Sequence, residues 1–308
     1  GDQMDETYLY FSGSWGRLIM GSENSAPYLM AYAAPYAGLG INSPNFFLFS
    51  PPLGTNAATS GYLNLASDAN KITYFTPRFG GFQLGVSYTP NVDAVGGNRQ
   101  TFGLNTDEDA GDLNHVIGAG VNFVESFNSL DIAVFAGGEW ANREADGVTT
   151  ISLVPTPFGS YFAAADDRYQ SYQAGLNIGF SGFTVGGSVS YVDAGLDGDF
   201  SDSDQWFYDV GATYTTGPWT VGLTYSYSDL TLDGLDLIPF GEGTFESRRH
   251  MVELGASYAL SPGVTIYGAG QYMKQINDYE VDAFIGPDTD ADQDSDGWAL
   301  SVGTKLSF

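Results

Sequence analysis

The chain contains no cysteine and very few basic residues. Its 308 residues include 10 Lys and Arg, 2 His and no Cys. The absence of cysteine excludes disulfide bonds, thiolate metal sites and thiol nucleophiles. Because 37 acidic side chains stand against 10 basic ones, the net charge is −27 at pH 7. We do not expect nucleic acid as a partner, because phosphate binding needs a basic surface.

The chain also lacks a stretch typical of a membrane helix or of a secretory signal. Residues 24–67 carry no charged side chain, but five prolines interrupt them, and proline breaks helices. The first six residues, GDQMDE, have neither the basic start nor the apolar core of a signal peptide. We therefore expect a mature or trimmed product.

What the chain does have is a regular alternation of large apolar and small polar residues. It is clearest at residues 219–227, WTVGLTYSY, and it recurs at residues 130–140, 183–191, 206–214 and 298–308. A period of two indicates β-strands. A soluble β-sandwich would carry many Lys, Glu and Arg on its polar face, whereas here that face carries Gly, Ser and Thr. The pattern favours an all-β, transmembrane antiparallel barrel with lipid outside and water inside.

The predicted connections alternate between tight turns and long segments. The long ones are residues 22–69, 90–112, 142–168, 194–203, 229–246 and 277–296. Outer-membrane barrels have this asymmetry, with short periplasmic turns and long external loops. We count 13 strands in a single domain, residues 1–308. Because bacterial single-chain barrels have an even number of strands, we expect an odd number of strands upstream of this sequence.

Three stretches carry a family resemblance. They are residues 8–21, YLYFSGSWGRLIMG, residues 70–82, NKITYFTPRFGGF, and the terminal strand ending at Phe308. They resemble, in turn, the hairpin before the constriction loop, the hairpin after it and the C-terminal insertion signal of Gram-negative general porins. The alphaproteobacterial porins are the most similar. The resemblance implies a homotrimeric outer-membrane barrel of about 16 strands, with three absent here, in contact with lipid and lipopolysaccharide.

By the same resemblance, residues 22–69 form an inward-folded constriction loop, and the protein is a passive channel for small hydrophilic solutes and ions. The loop interior is uncharged and rich in tyrosine. The acidic excess predicts a preference for cations, because a low-dielectric tube concentrates counterions. Resemblance and strand phase together give the expected pore-lining and constriction residues: Glu23, Tyr28, Tyr32, Tyr36, Lys71, Asp131, Glu139, Asp209, Arg249, Glu253 and Lys305.

Two other functions fit parts of the sequence. A solute-specific channel could use the aromatic constriction loop as a ladder for sugars or aromatic compounds. An outer-membrane barrel hydrolase would need an imidazole base, but His115 and His250 share the phase of outward apolar residues. We therefore expect no enzyme and no catalytic residue. Gly118 and Gly120, if they face outward, would favour contact between subunits.

An acidic stretch near the carboxyl end matches the opening of a calcium loop. Asp292, Asp294 and Asp296 alternate and are followed by Gly297, so their carboxylates could converge on one cation. The motif is incomplete, because Gly303 occupies the position of its closing Glu. A channel needs no cofactor, and the acidic external loops leave three alternatives open: a solvated mouth, bound Ca²⁺, or divalent ions that bridge to anionic lipid head groups.

Overall fold

The chain folds into one antiparallel sheet of thirteen strands, which confirms the predicted all-β fold and strand count. The computed structural model describes residues 6–43, 46, 61–92, 113–143, 168–193, 202–237, 241–283 and 289–307. The first strands are β1 (Thr7–Gly13), β2 (Gly16–Ser22), β3 (Asn70–Phe75), β4 (Phe82–Asn91), β5 (Leu113–Phe127) and β6 (Leu130–Arg143). The later strands are β7 (Arg168–Phe180), β8 (Phe183–Asp193), β9 (Asp202–Thr216), β10 (Trp219–Leu237), β11 (Gly241–Ser261), β12 (Val264–Ala283) and β13 (Thr289–Leu306). A short helix, α1 (Ala26–Met30), lies between β2 and β3.

Each strand pairs with its neighbours in sequence, and tight turns join the strands at one end of the sheet. Thr216 and Trp219 close the turn between β9 and β10. Gly217 adopts φ +56° in this turn, a left-handed conformation that glycine reaches without steric strain. The turn falls where the Thr-Gly-Pro sequence predicts it.

The expected connections at residues 229–246 and 277–296 are wrong, because both continue as strand. The ladder between β10 and β11 reaches Leu237 and Gly241, and β12 and β13 stay paired through most of the second range. These stretches carry many acidic residues, as external loops do, but Leu230 and Leu232 still alternate with polar neighbours, in the phase opposite to that of residues 219–227. Outside a bilayer, a strand needs no apolar face. The other long connections, 90–112, 142–168 and 194–203, lie largely outside the described residues.

The two edges of the sheet are β1 and β13. Within the described ranges, each of these strands pairs with one neighbour. A total of 16 strands and the absence of the first three stay predictions. Among the described residues, no helix is long and apolar enough to cross a membrane.

The sheet has an apolar outer face and a polar inner face. Large outer side chains remain exposed, with 65% of Leu254 and 86% of Val302 accessible. Polar inner side chains are covered, as at Thr73 and Ser171, both fully buried. Because alternate residues of a strand point to opposite faces, this division follows the period of two in the sequence.

Small clusters of apolar residues lie on the inner face instead of one central core. One of them joins α1 to β2, β3 and β6 through five buried residues: Ile19, Ala26, Met30, Phe75 and Phe135. Gly118 and Gly120 also face inward, against Pro27, so the suggestion that they form a subunit contact on the outer face is wrong. The Ser87 hydroxyl beside Gly118 shows the reason, because both residues share the inward phase of their strands.

Candidate functional site

Residues 22–69, which we call the constriction segment, cross the inner face of the sheet between β2 and β3. The described parts are residues 22–43, 46 and 61–69. The segment opens with α1, where Pro27 occupies the first turn. Proline is favourable there because the first helical N–H groups have no partner within the helix. After Met30 the chain turns to extended backbone at Ala31.

The wall curves around this extended stretch. Pro27 lies against Gly118 of β5, whereas Gly38 lies against Ala269 of β12. Between these two points the segment also touches β7, β9, β10 and β11. A single stretch of chain thus contacts the inner face of most of the sheet.

Glycines in the wall let the segment lie directly on the backbone of the strands. A Cβ atom at Gly175 would stand 1.7 Å from the carbonyl oxygen of Tyr32, and one at Gly211 would stand 2.5 Å from that of Pro35. Gly255 meets the segment backbone in the same way. Any side chain at these positions would push the segment into the lumen, because real Cβ atoms do not approach so closely.

Three carboxylates of the wall hold the segment through its backbone. Glu139, Asp209 and Glu253 are all buried on the inner face. Hydrogen bonds from a neutral donor to a carboxylate contribute about 1.5–3 kcal/mol each. The donors are Leu65 N–H to Glu139 (3.0 Å), Ala34 N–H to Asp209 (3.1 Å), Leu39 N–H to Glu253 (3.0 Å) and Gly40 N–H to both oxygens of Glu253 (3.1 and 3.2 Å).

Two buried amides that the sequence did not single out complete these contacts. Asn42 Nδ2 donates to Asp209 Oδ2 at 2.7 Å and to the carbonyl of Ala34 at 3.0 Å. Gln173 Oε1 accepts from the Leu63 N–H at 3.4 Å. The inward phase of β7 could have identified Gln173, whereas nothing in the uncharged loop sequence marks Asn42.

Two of the predicted residues, Glu23 and Lys71, lie where the segment leaves and rejoins the wall. Both are buried. The Glu23 carboxylate accepts from the Asn24 N–H at 2.8 Å, while the Glu23 carbonyl accepts from Lys71 Nζ. These two residues form part of the neck of the segment, which we define as residues 22–24 and 66–71.

The remaining charged predictions lie apart from this anchoring set. Arg249 is buried on β11 and donates to Gln275 Oε1 at 3.1 Å. Asp131 is exposed beside a tight turn and accepts from Ser126 Oγ at 2.6 Å. Lys305 is exposed near the end of β13. The structure therefore brings Glu139, Asp209 and Glu253 together on the segment, but not Asp131 or Lys305.

The predicted tyrosines give the segment an aromatic surface. The rings of Tyr28 and Tyr62 lie 5.3 Å apart, Tyr32 packs on the α1 cluster, and the exposed Tyr36 covers Gly40. Burial raises the pKa of Tyr62 to about 12 and raises those of Tyr28 and Tyr36. These hydroxyls are therefore neutral donors at physiological pH. Phe47 and Phe49 of the same loop lie outside the described residues.

Neither histidine lies on the inner face. Tyr88 Oη is 2.7 Å from His115 Nδ1, and Tyr225 Oη is 2.9 Å from His250 Nδ1. Both pairs sit at the outer surface, where aromatic and imidazole rings suit a membrane interface.

The three aspartates of the calcium-like motif lie along an extended strand. Asp292, Asp294 and Asp296 are exposed on β13, and Asp294 lies 3.5 Å from Lys274 Nζ. In the part of the chain that the structure describes, no three acidic or histidine residues converge as metal ligands. A calcium site here stays a prediction.

Comparisons with known proteins agree with this architecture. A sequence model of a family described as Gram-negative porin matches residues 1–278. The trimer form of OmpT, an outer membrane protein of Vibrio cholerae folded in vitro, is 12% identical, with a TM-score of 0.59 over 100% of this chain and 82% of that one. OmpT expressed in the outer membrane of Vibrio cholerae is also 12% identical, with a TM-score of 0.58 over 98% and 80% of the two chains. No curated protein sequence matches the chain.

Proposed function

The chain belongs to the Gram-negative porin family and is a β-barrel protein of the bacterial outer membrane, and from this we propose that it is a passive channel for small hydrophilic solutes and ions. The observation that supports the proposal is the constriction segment, which lies across the inner face of the sheet and is fixed to the wall by hydrogen bonds. Such a channel sorts solutes by size and charge and needs neither a cofactor nor a catalytic residue.

We propose that the channel prefers cations. The carboxylates of Glu139, Asp209 and Glu253 accept hydrogen bonds from N–H donors of the segment, and these neutral donors do not cancel formal charge. In the whole chain, 37 acidic side chains stand against 10 basic ones. Charges behind a thin layer of protein act through a lower dielectric than water, so their field reaches the lumen.

A second candidate is a channel specific for sugars or aromatic solutes. The observation that favours it is the aromatic surface of the segment, formed by the Tyr28 and Tyr62 pair and by Tyr36. Aromatic faces bind the apolar faces of such solutes, and neutral tyrosine hydroxyls can donate to them.

We favour a channel over a hydrolase because of where the histidines lie. His115 and His250 are bonded to tyrosines on the outer face, so no imidazole of the chain reaches a substrate in the lumen. General-base catalysis needs the base within hydrogen-bond reach of the proton it removes.

We propose that the protein assembles as a homotrimer in contact with outer-membrane lipid and lipopolysaccharide. A trimer is the form of the Vibrio cholerae protein that shares the fold. The outer face carries aromatic pairs such as Trp140 with Tyr172 and Tyr191 with Trp206, which are typical of the membrane interface.

Recordings from the purified protein in planar bilayers test the channel proposal. We expect stepwise conductance that appears in groups of three equal steps, and a reversal potential under a salt gradient that has the sign of cation preference. A protein that inserts but conducts nothing would refute the channel. Saturable block of the ion current by a sugar or aromatic solute would favour the solute-specific alternative.

A further inference from the structure

Lys71 stands at the start of β3 with its ammonium group enclosed by backbone oxygens. Only 5% of the residue is exposed. Its Nζ donates to the carbonyl oxygens of Glu23, Ser67 (2.6 Å) and Ala69 (2.7 Å), with that of Ala66 at 3.5 Å. These oxygens come from both ends of the constriction segment. The acidic side chains of Asp68, Glu139 and Glu23 also act on this ammonium group electrostatically.

The surrounding backbone is arranged to present these oxygens. Ser67 adopts φ +32°, which is strained for a residue with a side chain. Its carbonyl oxygen accepts a hydrogen bond from Lys71 Nζ at 2.6 Å. Across the neck, Ser22 Oγ donates to the carbonyl of Asp68. Strain of this kind persists only where other interactions compensate for it, and the buried ammonium supplies them.

We infer that these carbonyls form a cation-binding cage whose ligand is the chain's own Lys71 ammonium, and that this ligand sets the position of the constriction segment. Lys71 is a positioning residue, because it joins the departing strand β2 to the returning strand β3 at the neck. The cage recognises a compact cation with several N–H donors. This goes beyond a passive channel, since it assigns a bound cation a structural role in keeping the channel open.

The geometry also explains why a different cation would not serve equally. An ammonium group directs three N–H donors in a tetrahedral arrangement, whereas a guanidinium is planar. Leaving a buried ammonium group without hydrogen-bond partners costs the full desolvation free energy of its charge. The cage and the ammonium therefore stabilise each other, and removing either one releases the neck.

The test is chemical rescue of the full chain. Lys71→Ala removes three methylene groups and the ammonium, which together correspond to n-propylammonium. In planar bilayers we expect Lys71→Ala to close about tenfold more often than the wild type, because hydrogen bonds worth more than 1.4 kcal/mol are lost. We expect n-propylammonium to return the closing rate toward that of the wild type. Tetramethylammonium, with the same charge and no N–H donor, should have no effect.

Lys274→Met is the matched control. It removes the same charge from an exposed lysine whose Nζ lies 3.5 Å from Asp294, and we expect wild-type closing in either amine. Limited proteolysis of the folded protein gives a second readout that does not need conduction: cleavage within the segment should rise in Lys71→Ala and fall again with n-propylammonium only. Because proteolysis does not depend on conduction, it separates failure of this inference from failure of the channel proposal.

Two results would overturn the inference. One is a Lys71→Ala protein with wild-type closing and wild-type protease resistance. The other is equal rescue by n-propylammonium and tetramethylammonium, which would mean that only the charge of the cation is needed to hold the neck. If Lys71→Ala does not fold alone, the yield of heat-modifiable folded protein after refolding in each amine gives the same comparison.

Discussion

Both carboxylate oxygens of Glu253 lie within hydrogen-bonding distance of the backbone nitrogen of Gly40, at 3.2 and 3.1 Å. The two residues are 213 positions apart in sequence. A carboxylate of the wall thus accepts hydrogen bonds from the backbone of the constriction segment and not from one of its side chains. Hence residues 24–67 can be held without a charged side chain of their own, which accounts for their uncharged sequence.

Weakening this contact should loosen the segment while leaving the barrel intact. Glu253→Gln replaces one acceptor oxygen with a donor, so we expect the free energy of local opening around Gly40 to fall by about 1.5–3 kcal/mol. Hydrogen exchange of the peptide containing Leu39 and Gly40 measures it directly. Asp131→Asn is the control, since Asp131 is an exposed inner-face acid at a turn. Unchanged exchange in Glu253→Gln would show that this carboxylate does not anchor the segment.

Filling a wall glycine should displace the segment. Gly175→Ala places a methyl group 1.7 Å from the Tyr32 carbonyl, so we expect a loss of about 1–3 kcal/mol in stability and an altered single-channel conductance. Thermal unfolding and bilayer recording check the two effects. Gly270→Ala is the matched control, because its methyl group would meet only Leu300 at an ordinary 3.5 Å. Equal behaviour of the two variants would contradict close contact between segment and wall.

Selectivity should depend on salt in a way that separates inner from outer charges. The Debye length falls from about 10 Å at 0.1 M to about 3 Å at 1 M. We therefore expect moderate cation preference at low salt that weakens markedly near 1 M. Glu139→Gln should reduce whatever persists at high salt, whereas Asp292→Asn and Asp294→Asn should act at low salt only. Reversal potentials measure this, and anion preference of the wild type at low salt would overturn the proposed selectivity.

Tyr62 should not contribute charge to the channel at moderately alkaline pH. Its pKa is raised to about 12 by burial, and a raised tyrosine pKa keeps the neutral form present to higher pH. An exposed tyrosine, in contrast, ionises near 10. Between pH 8 and about 11, we expect the reversal potentials of the wild type and Tyr62→Phe to coincide. A rise of cation preference near pH 10 that Tyr62→Phe abolishes would show that the ring is exposed.

The strands could be predicted from sequence wherever the bilayer imposes its pattern. Residues 219–227 alternate because one face meets lipid and the other meets water, and β10 begins where this alternation does. Farther along β10 the apolar residues change phase to Leu230 and Leu232, and Leu232 is buried. The prediction of a loop fails there because acidic residues such as Asp229 and Asp233 suggest a connection, although the strand continues to Leu237.

The candidate site could be predicted only in part, for a related reason. Strand phase gives Glu139, Asp209 and Glu253 as inner-face acids, but their donors are backbone N–H groups of Leu65, Ala34 and Gly40. Every residue except proline has such a group, so sequence cannot show which of them a carboxylate will meet.

The strands β10 to β13 contain 19, 21, 20 and 18 residues, whereas a tilted strand crosses the hydrocarbon core with about 9–11 residues. Nearly half of each strand therefore stands clear of the bilayer, while β8 has 11 residues in all. Over the described strands, the rim is high on one side and low on the other. A ligand that binds these extensions therefore contacts a hydrogen-bonded sheet, so its binding depends on the folded structure.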